Sequence, residues 1–217
     1  MNITKLNQLK HVESFLQINF TKGFKYIDKA GEIVNLFFTK PEREPLYIMD
    51  QRQLLIRESE NSKEEFKIAV NNFWYHKADP ENLNDLKNIF FSKAIKITQI
   101  VEVDKLTRLG WRNYFIFELS QTNNLFFKKC FEREDKIKLD LLQIVFNRKI
   151  KGFECRFEVK KLEKKDRKTP VILFDVDISK KYEGYLNTSI LNSELDKLYQ
   201  LLESEEFIKT INYTLFG

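Results

Sequence analysis

Arg108-Leu109-Gly110-Trp111-Arg112-Asn113-Tyr114-Phe115-Ile116-Phe117-Glu118-Leu119 is the stretch on which the fold turns. Side chains alternate sides along a strand, so Leu109, Trp111, Phe115, Phe117 and Leu119 share one face. Arg108, Arg112, Tyr114 and Glu118 share the other, with Gly110 between the two arginines. A strand that is apolar on one face and polar on the other belongs to an antiparallel sheet covered on one side only.

Downstream of this strand, residues 123–134 read as a short helix. Leu142, Ile144 and Phe146 then suggest a strand, and Phe153, Cys155, Phe157 and Val159 alternate as the next. Ile172, Phe174, Val176 and Ile178 form another, before a terminal helix over 190–211 with Leu191, Leu195, Leu198, Leu202, Ile208 and Ile211 on its apolar side.

Upstream the order is similar. Residues 11–20 read as a strand, and Ile27, Ala30, Val34 and Phe37 recur at helical spacing. Pro41 and Pro45 bracket a loop, Leu46–Met49 and Gln53–Arg57 are short strand candidates, and residues 65–75 read as one longer strand. Asp79 as cap, Pro80 at the first helical position and Glu81 near the positive end of the dipole open a helix over 80–98.

Both halves therefore read strand, helix, three strands, long helix, at an offset of about one hundred residues. The expected class is α+β: a single domain, 1–217, with pseudo-repeats 1–104 and 105–217 forming one curved antiparallel sheet with long helices on one face. This element order resembles the saddle of the TATA-binding-protein-like fold. A likeness in element order implies no DNA-binding function, because fold does not fix function.

Composition narrows the class. The chain has 217 residues, 42% hydrophobic and 14% aromatic, with 20 Phe but only 6 Gly and 4 Pro. That is too apolar for a disordered chain and too poor in Gly and Pro for a low-complexity one. No apolar run approaches the ~18–20 residues of a membrane span. Residues 1–5 carry no apolar signal core, and Cys130 and Cys155 are too few for a disulfide framework, so a cytoplasmic protein is expected. The net charge of +5 is spread evenly: residues 1–100 hold 15 basic and 13 acidic side chains, and residues 101–217 hold 22 and 19. Neither half is a basic domain of the kind that footprints on nucleic acid. The densest basic run, from Lys160 to Lys168, reads as a solvated hairpin tip or a phosphate-contacting loop.

The polar sheet face is the candidate binding surface. Besides Arg108, Gly110, Arg112 and Tyr114 it takes Glu154, Arg156, Glu158 and Lys160 from one strand and Asp175 and Asp177 from another, with Gln143 and Asn147 alongside. Arg108 and Arg112 stand about 13 Å apart along their strand, too far to share one carboxylate but suited to an extended acidic ligand. Gly110 permits close approach of a ligand or backbone, or marks a bulge. Asp175 and Asp177, about 6.6 Å apart along one face, could hold a divalent cation with Glu154 or Glu158, or could pair with Arg112, Arg156 or Lys160.

Other chemistry finds little support. The two histidines, His11 and His76, are far in sequence from either cysteine, no Cys/His cluster has zinc spacing, and the glycines are scattered singly. Asp140 with Glu158-Val159-Lys160 mimics the acidic pair and lysine of a restriction-type nuclease, but Asp/Glu-x-Lys recurs six times in this charged chain. No catalytic set, metal or cofactor is assigned.

Arg108-Leu109-Gly110-Trp111-Arg112-Asn113-Tyr114 is similar to an Arg-Ile-Gly-Leu-Arg-Tyr-Ile-Asn type motif in a sporadically distributed family of uncharacterised bacterial proteins. Leu173-Phe174-Asp175-Val176-Asp177 resembles that family's late apolar-Asp-x-Asp strand, and the segment from Leu195 to Phe207 resembles its closing helix, with Tyr199 where the family has His. The likeness covers the second half. It implies no activity, and the family's patchy distribution points to mobile-element or defence-associated gene neighbourhoods. The expected function is non-enzymatic recognition of a macromolecular partner, or homo-oligomerisation, through the polar sheet face. The alternatives are a metal-dependent nuclease built on Asp175, Asp177 and Glu158, and nucleic-acid binding without cleavage.

Overall fold

The computed structural model describes residues 2–21, 23–37, 46–50, 52–57, 59–60, 62–103, 105–137, 143–162, 171–184 and 187–216. The first half holds β1 (Lys10–Phe20), α1 (Ala30–Phe37), β2 (Leu46–Met49), β3 (Gln53–Arg57), β4 (Glu64–Ala69), β5 (Asn72–Ala78) and α2 (Leu83–Ile100). The second holds β6 (Leu106–Glu118), α3 (Leu125–Ile137), β7 (Gln143–Ile150), β8 (Phe153–Leu162), β9 (Val171–Lys181), α4 (Thr188–Leu202) and α5 (Glu205–Ile211).

Among the described residues the fold is α+β on a nine-stranded antiparallel sheet of order β2-β3-β4-β5-β1-β6-β9-β8-β7. The order carries the internal duplication. β1 and β6 open the two halves and lie side by side, and outward from them each half runs from its last strand back towards its earlier ones. Among the described residues no helix is long and apolar enough to cross a membrane.

The chain forms two compact units, neither of them contiguous: 1–12, 112–178 and 198–217 make the first, and 13–111 and 179–197 the second. In the second unit, α2 lays Leu86, Phe90, Ala94 and Ile97 on a sheet face built from Leu16, Ile18, Phe73, Tyr75 and Trp111, all at most 2% exposed. Phe90 meets Tyr75 at 4.6 Å and Trp111 at 5.9 Å between ring centroids. The indole N–H of Trp111 donates to Ser14 Oγ at 2.7 Å, so its one polar atom is satisfied under the helix. Glu194 of α4 is also buried here. It accepts from Lys180 Nζ and Lys197 Nζ, each at 2.7 Å, and from Tyr182 Oη at 2.6 Å.

Two sequence expectations fail in this unit. Residues 65–75 are not one strand: β4 and β5 form a hairpin pairing Ala69 with Asn72 across a turn at Val70-Asn71. A two-residue turn reverses side-chain parity, so Phe66 and Ile68 are joined in the core by Phe73 and Tyr75, while Trp74 goes to the opposite face. The helix expected over 80–98 starts later. Asn82 is its cap, accepting from the Asp85 N–H at 2.8 Å, whereas Asp79 sits at φ 44°, outside any helical cap geometry, as the chain leaves β5.

In the first unit, β7 and β8 form a hairpin whose turn, Lys151-Gly152, has φ of 48° and 84°. Two successive positive φ values match a type I′ turn and fix the register, and glycine tolerates the second without strain. Phe157 of β8 stacks at 5° to Phe174 of β9 and packs on Phe207 of α5, so the helix covers the Phe153, Cys155, Phe157, Val159 face. The single helix expected over 190–211 is broken between α4 and α5. Ser204 caps α5, its Oγ accepting from the Phe207 N–H. The chain ends in a π-helical turn, Asn212–Phe216, where Asn212 exchanges hydrogen bonds of 2.8 and 2.7 Å with the backbone of Ile3.

Candidate functional site

On the first unit's sheet face opposite α5 the alternation of β6, β8 and β9 delivers Arg112, Tyr114, Arg156, Glu158, Lys160, Asp175 and Asp177. The structure joins most of these into one charge ladder. Asp175, 1% exposed, is gripped side-on by Arg112, with Nε at 2.9 Å from Oδ1 and Nη2 at 2.5 Å from Oδ2. Arg156 Nη1 lies 2.6 Å from Glu158 Oε2 and 3.9 Å from Asp175 Oδ2, and Lys160 Nζ lies 3.6 Å from Glu158 Oε1.

Burying an isolated carboxylate costs several kcal/mol. A bidentate guanidinium offsets that cost for Asp175, and two cations do so for Glu158. The carboxylates form the floor of the ladder and the cations its solvent edge: the side chains of Arg112, Arg156 and Lys160 are 41%, 37% and 29% exposed. Hydrogen bonding to Asp175 pushes the Arg112 guanidinium well above its ordinary value; burial opposes this, and the nearby Asp175, Tyr114 and Asp177 charges favour it. Tyr114 is half-buried, its ring 5.0 Å beneath the Arg112 guanidinium. Asp177 is half-buried on the same face.

Asp175 and Glu158 stand in ion pairs with Arg112, Arg156 and Lys160. Among the described residues no group of three or more His, Cys, Asp and Glu could hold a metal ion. Asp140 and residues 163–168 of the basic run lie outside the described residues.

Arg108 and Gly110 belong to the second unit. Arg108 Nη1 donates to Gln17 Oε1 at 3.0 Å, and its guanidinium crosses Gly110, where an added Cβ would lie 3.3 Å from it. The group that approaches the glycine closely is this arginine, two residues earlier on the same strand.

The same face of the second unit carries residues that the sequence reading passed over. Phe15 stacks on His76 at 4.3 Å and 11°, and Trp74 lies 5.5 Å from Phe15 and 5.7 Å from His76. Burial, opposed by Glu13 and Glu65, pushes the His76 imidazole below its ordinary value. The signal that could have found this cluster is the Asn71-Asn72 pair, a turn signal that corrects the parity of Trp74. Cys155 takes a place in the core: it is 2% exposed, and burial pushes its thiol up to about 12.

No family model, no curated protein and no solved structure matches this chain.

Proposed function

We infer that this is a non-enzymatic binding protein that recognises a macromolecular partner through its polar sheet face, with Arg112, Arg156 and Tyr114 as the central contacts. The observation that carries this reading is the layering of the ladder. Asp175 and Glu158 lie beneath the surface while the cations that neutralise them stand at it.

Arg112 spends Nε and Nη2 on Asp175, which directs Nη1 away from that carboxylate. A guanidinium held in this way has lost its side-chain freedom before any partner arrives, which lowers the ordering cost of binding. The partner it suits presents carboxylates or phosphates. The likeness of the Arg108–Tyr114 segment to the uncharacterised bacterial family supports a mobile-element or defence setting for such a partner, but names none.

The test is affinity capture with the wild-type chain, Arg156→Ala and Arg112→Lys, each checked for an unchanged melting temperature. A partner held by the wild type and lost from both variants supports the reading. Capture that is identical for all three chains refutes it.

A further inference from the structure

We propose that the sheet face of the second unit is a stacking platform for the unpaired bases of single-stranded nucleic acid. This is a separate site from the charge ladder and does not depend on how that ladder is read.

Strand register lays the platform out in rows. Leu55, Lys67, Trp74 and Gln17 lie side by side on β3, β4, β5 and β1, and the bond from Gln17 to Arg108 extends this row onto β6. The next row is Arg57, Glu65, His76 and Phe15. A third holds Gln53, Ala69, Asn72 and Asn19. Three rings, Trp74, His76 and Phe15, are thus gathered half-buried at the middle of a face that no described helix of this unit covers, while the core lies on the opposite side.

Each component of the face matches one part of a single strand. Phe15 and His76 stack on each other, and Trp74, which only tilts against both, offers the indole on which a base of any identity can stack, because every base has a π-face. Lys67 and Arg108 flank the rings, about 14 Å apart at three strand spacings, and supply charge for phosphates on either side. Glu65 is neutralised by its ion pair with Arg57, and Glu13 lies 3.9 Å from His76. The amides of Gln17, Asn19 and Asn72 carry donors and acceptors of the kind that read base edges. A duplex keeps its bases stacked inside and could not use the rings. An acidic peptide would use the cations without needing three aromatic rings.

The two tryptophans make the test direct. Trp111 is 0% exposed and bonded to Ser14 beneath the sheet, so a change in tryptophan fluorescence on binding reports Trp74. The full-length chain is titrated with a short oligo(U) RNA, a short oligo(dT) DNA and a duplex. The expected result is saturable quenching by at least one single strand and none by the duplex, with the tighter single strand identifying the ligand as RNA or DNA.

Trp74→Ala should weaken binding, read by anisotropy of a labelled oligonucleotide, about ten-fold or more. Trp74→Phe keeps a ring and should retain most of the affinity while losing the quench. Lys67→Gln should lower the slope of log affinity against log salt by about one. Lys209→Gln, which removes an exposed charge from α5 in the first unit, should leave the affinity unchanged. The proposal is overturned if neither single strand binds, if the duplex competes equally, or if a folded Trp74→Ala chain binds as tightly as the wild type.

Discussion

Removing the Arg112 charge while keeping its aliphatic reach, as in Arg112→Met, tests the ladder directly. The substitution leaves Asp175, 1% exposed, without its bidentate partner. Breaking a buried pair by deleting one partner typically costs about 3–5 kcal/mol. Two features reduce that here. Arg156 stays 3.9 Å from Asp175 as a residual partner, and the Arg112 side chain is 41% exposed, so solvent already screens part of the interaction. The expected loss is about 2–3 kcal/mol. Urea unfolding followed by circular dichroism at neutral pH measures it. The decisive comparison is Arg112→Met/Asp175→Asn, which removes the stranded charge and should recover at least half of the loss. If the double variant is as unstable as the single one, the loss comes from packing against Tyr114, and the account of the ladder as a compensated burial of charge is wrong.

Other expectations rest on single groups. Burial pushes the Glu194 carboxyl up, but hydrogen bonds from Lys180, Lys197 and Tyr182 overcome this and hold it at about 2 against an ordinary 4.5. A carboxyl lowered by folding contributes stability above its unfolded value and loses it as pH falls through the folded one. Glu194→Gln should therefore cost about 1–2 kcal/mol at neutral pH, after discounting for the exposed Lys197, and urea melts should show the gap to wild type closing between pH 4.5 and 2. The nearest atoms that Gly110→Ala meets are those at the flexible end of Arg108, at 3.3 Å. It should change stability by less than about 0.5 kcal/mol while displacing the Arg108 guanidinium, which a crystal structure of the variant would show as loss of the bond to Gln17. In the native chain iodoacetamide should label Cys130, which is half-buried, well before Cys155, whose thiol burial pushes up to about 12; peptide mass spectrometry reads the order. Equal labelling of the two would place Cys155 outside the core.

The strands with strict alternation were legible, because β6, β8 and β9 each keep one register over ten or more residues with a covered face of Phe, Val, Ile and Trp. The turn at Val70-Asn71 was not. It contains neither Gly nor Pro, and it is held from outside by the backbone N–H groups of Phe20 and Gly23, which donate to the Asn71 and Val70 carbonyls. In a single strand over 65–75, Trp74 falls on the face of Phe66 and Ile68, which gives no sign of its cluster with Phe15 and His76. The break before α5 had a local sign, Ser204 followed by two glutamates, but the leucine stripe ran past it at helical spacing. In the candidate site, the faces could be read and the pairs could not: Arg112 and Asp175 are 63 residues apart, and periodicity assigns a side but never a partner.

The bonds between Asn212 and Ile3 have a consequence for the chain as it is made. Segment 1–12 belongs to a unit that also needs residues up to 217, and the other unit needs residues up to 197. β1 contributes to both units: its first three residues, Lys10 to Val12, belong with 112–178 and 198–217, and the rest with 13–111 and 179–197. Neither unit can be produced as an uninterrupted fragment, and cutting at the boundary of the repeats leaves parts of both units on each piece. Contacts this distant in sequence favour slow folding. Neither unit can therefore close before residue 197 has been made.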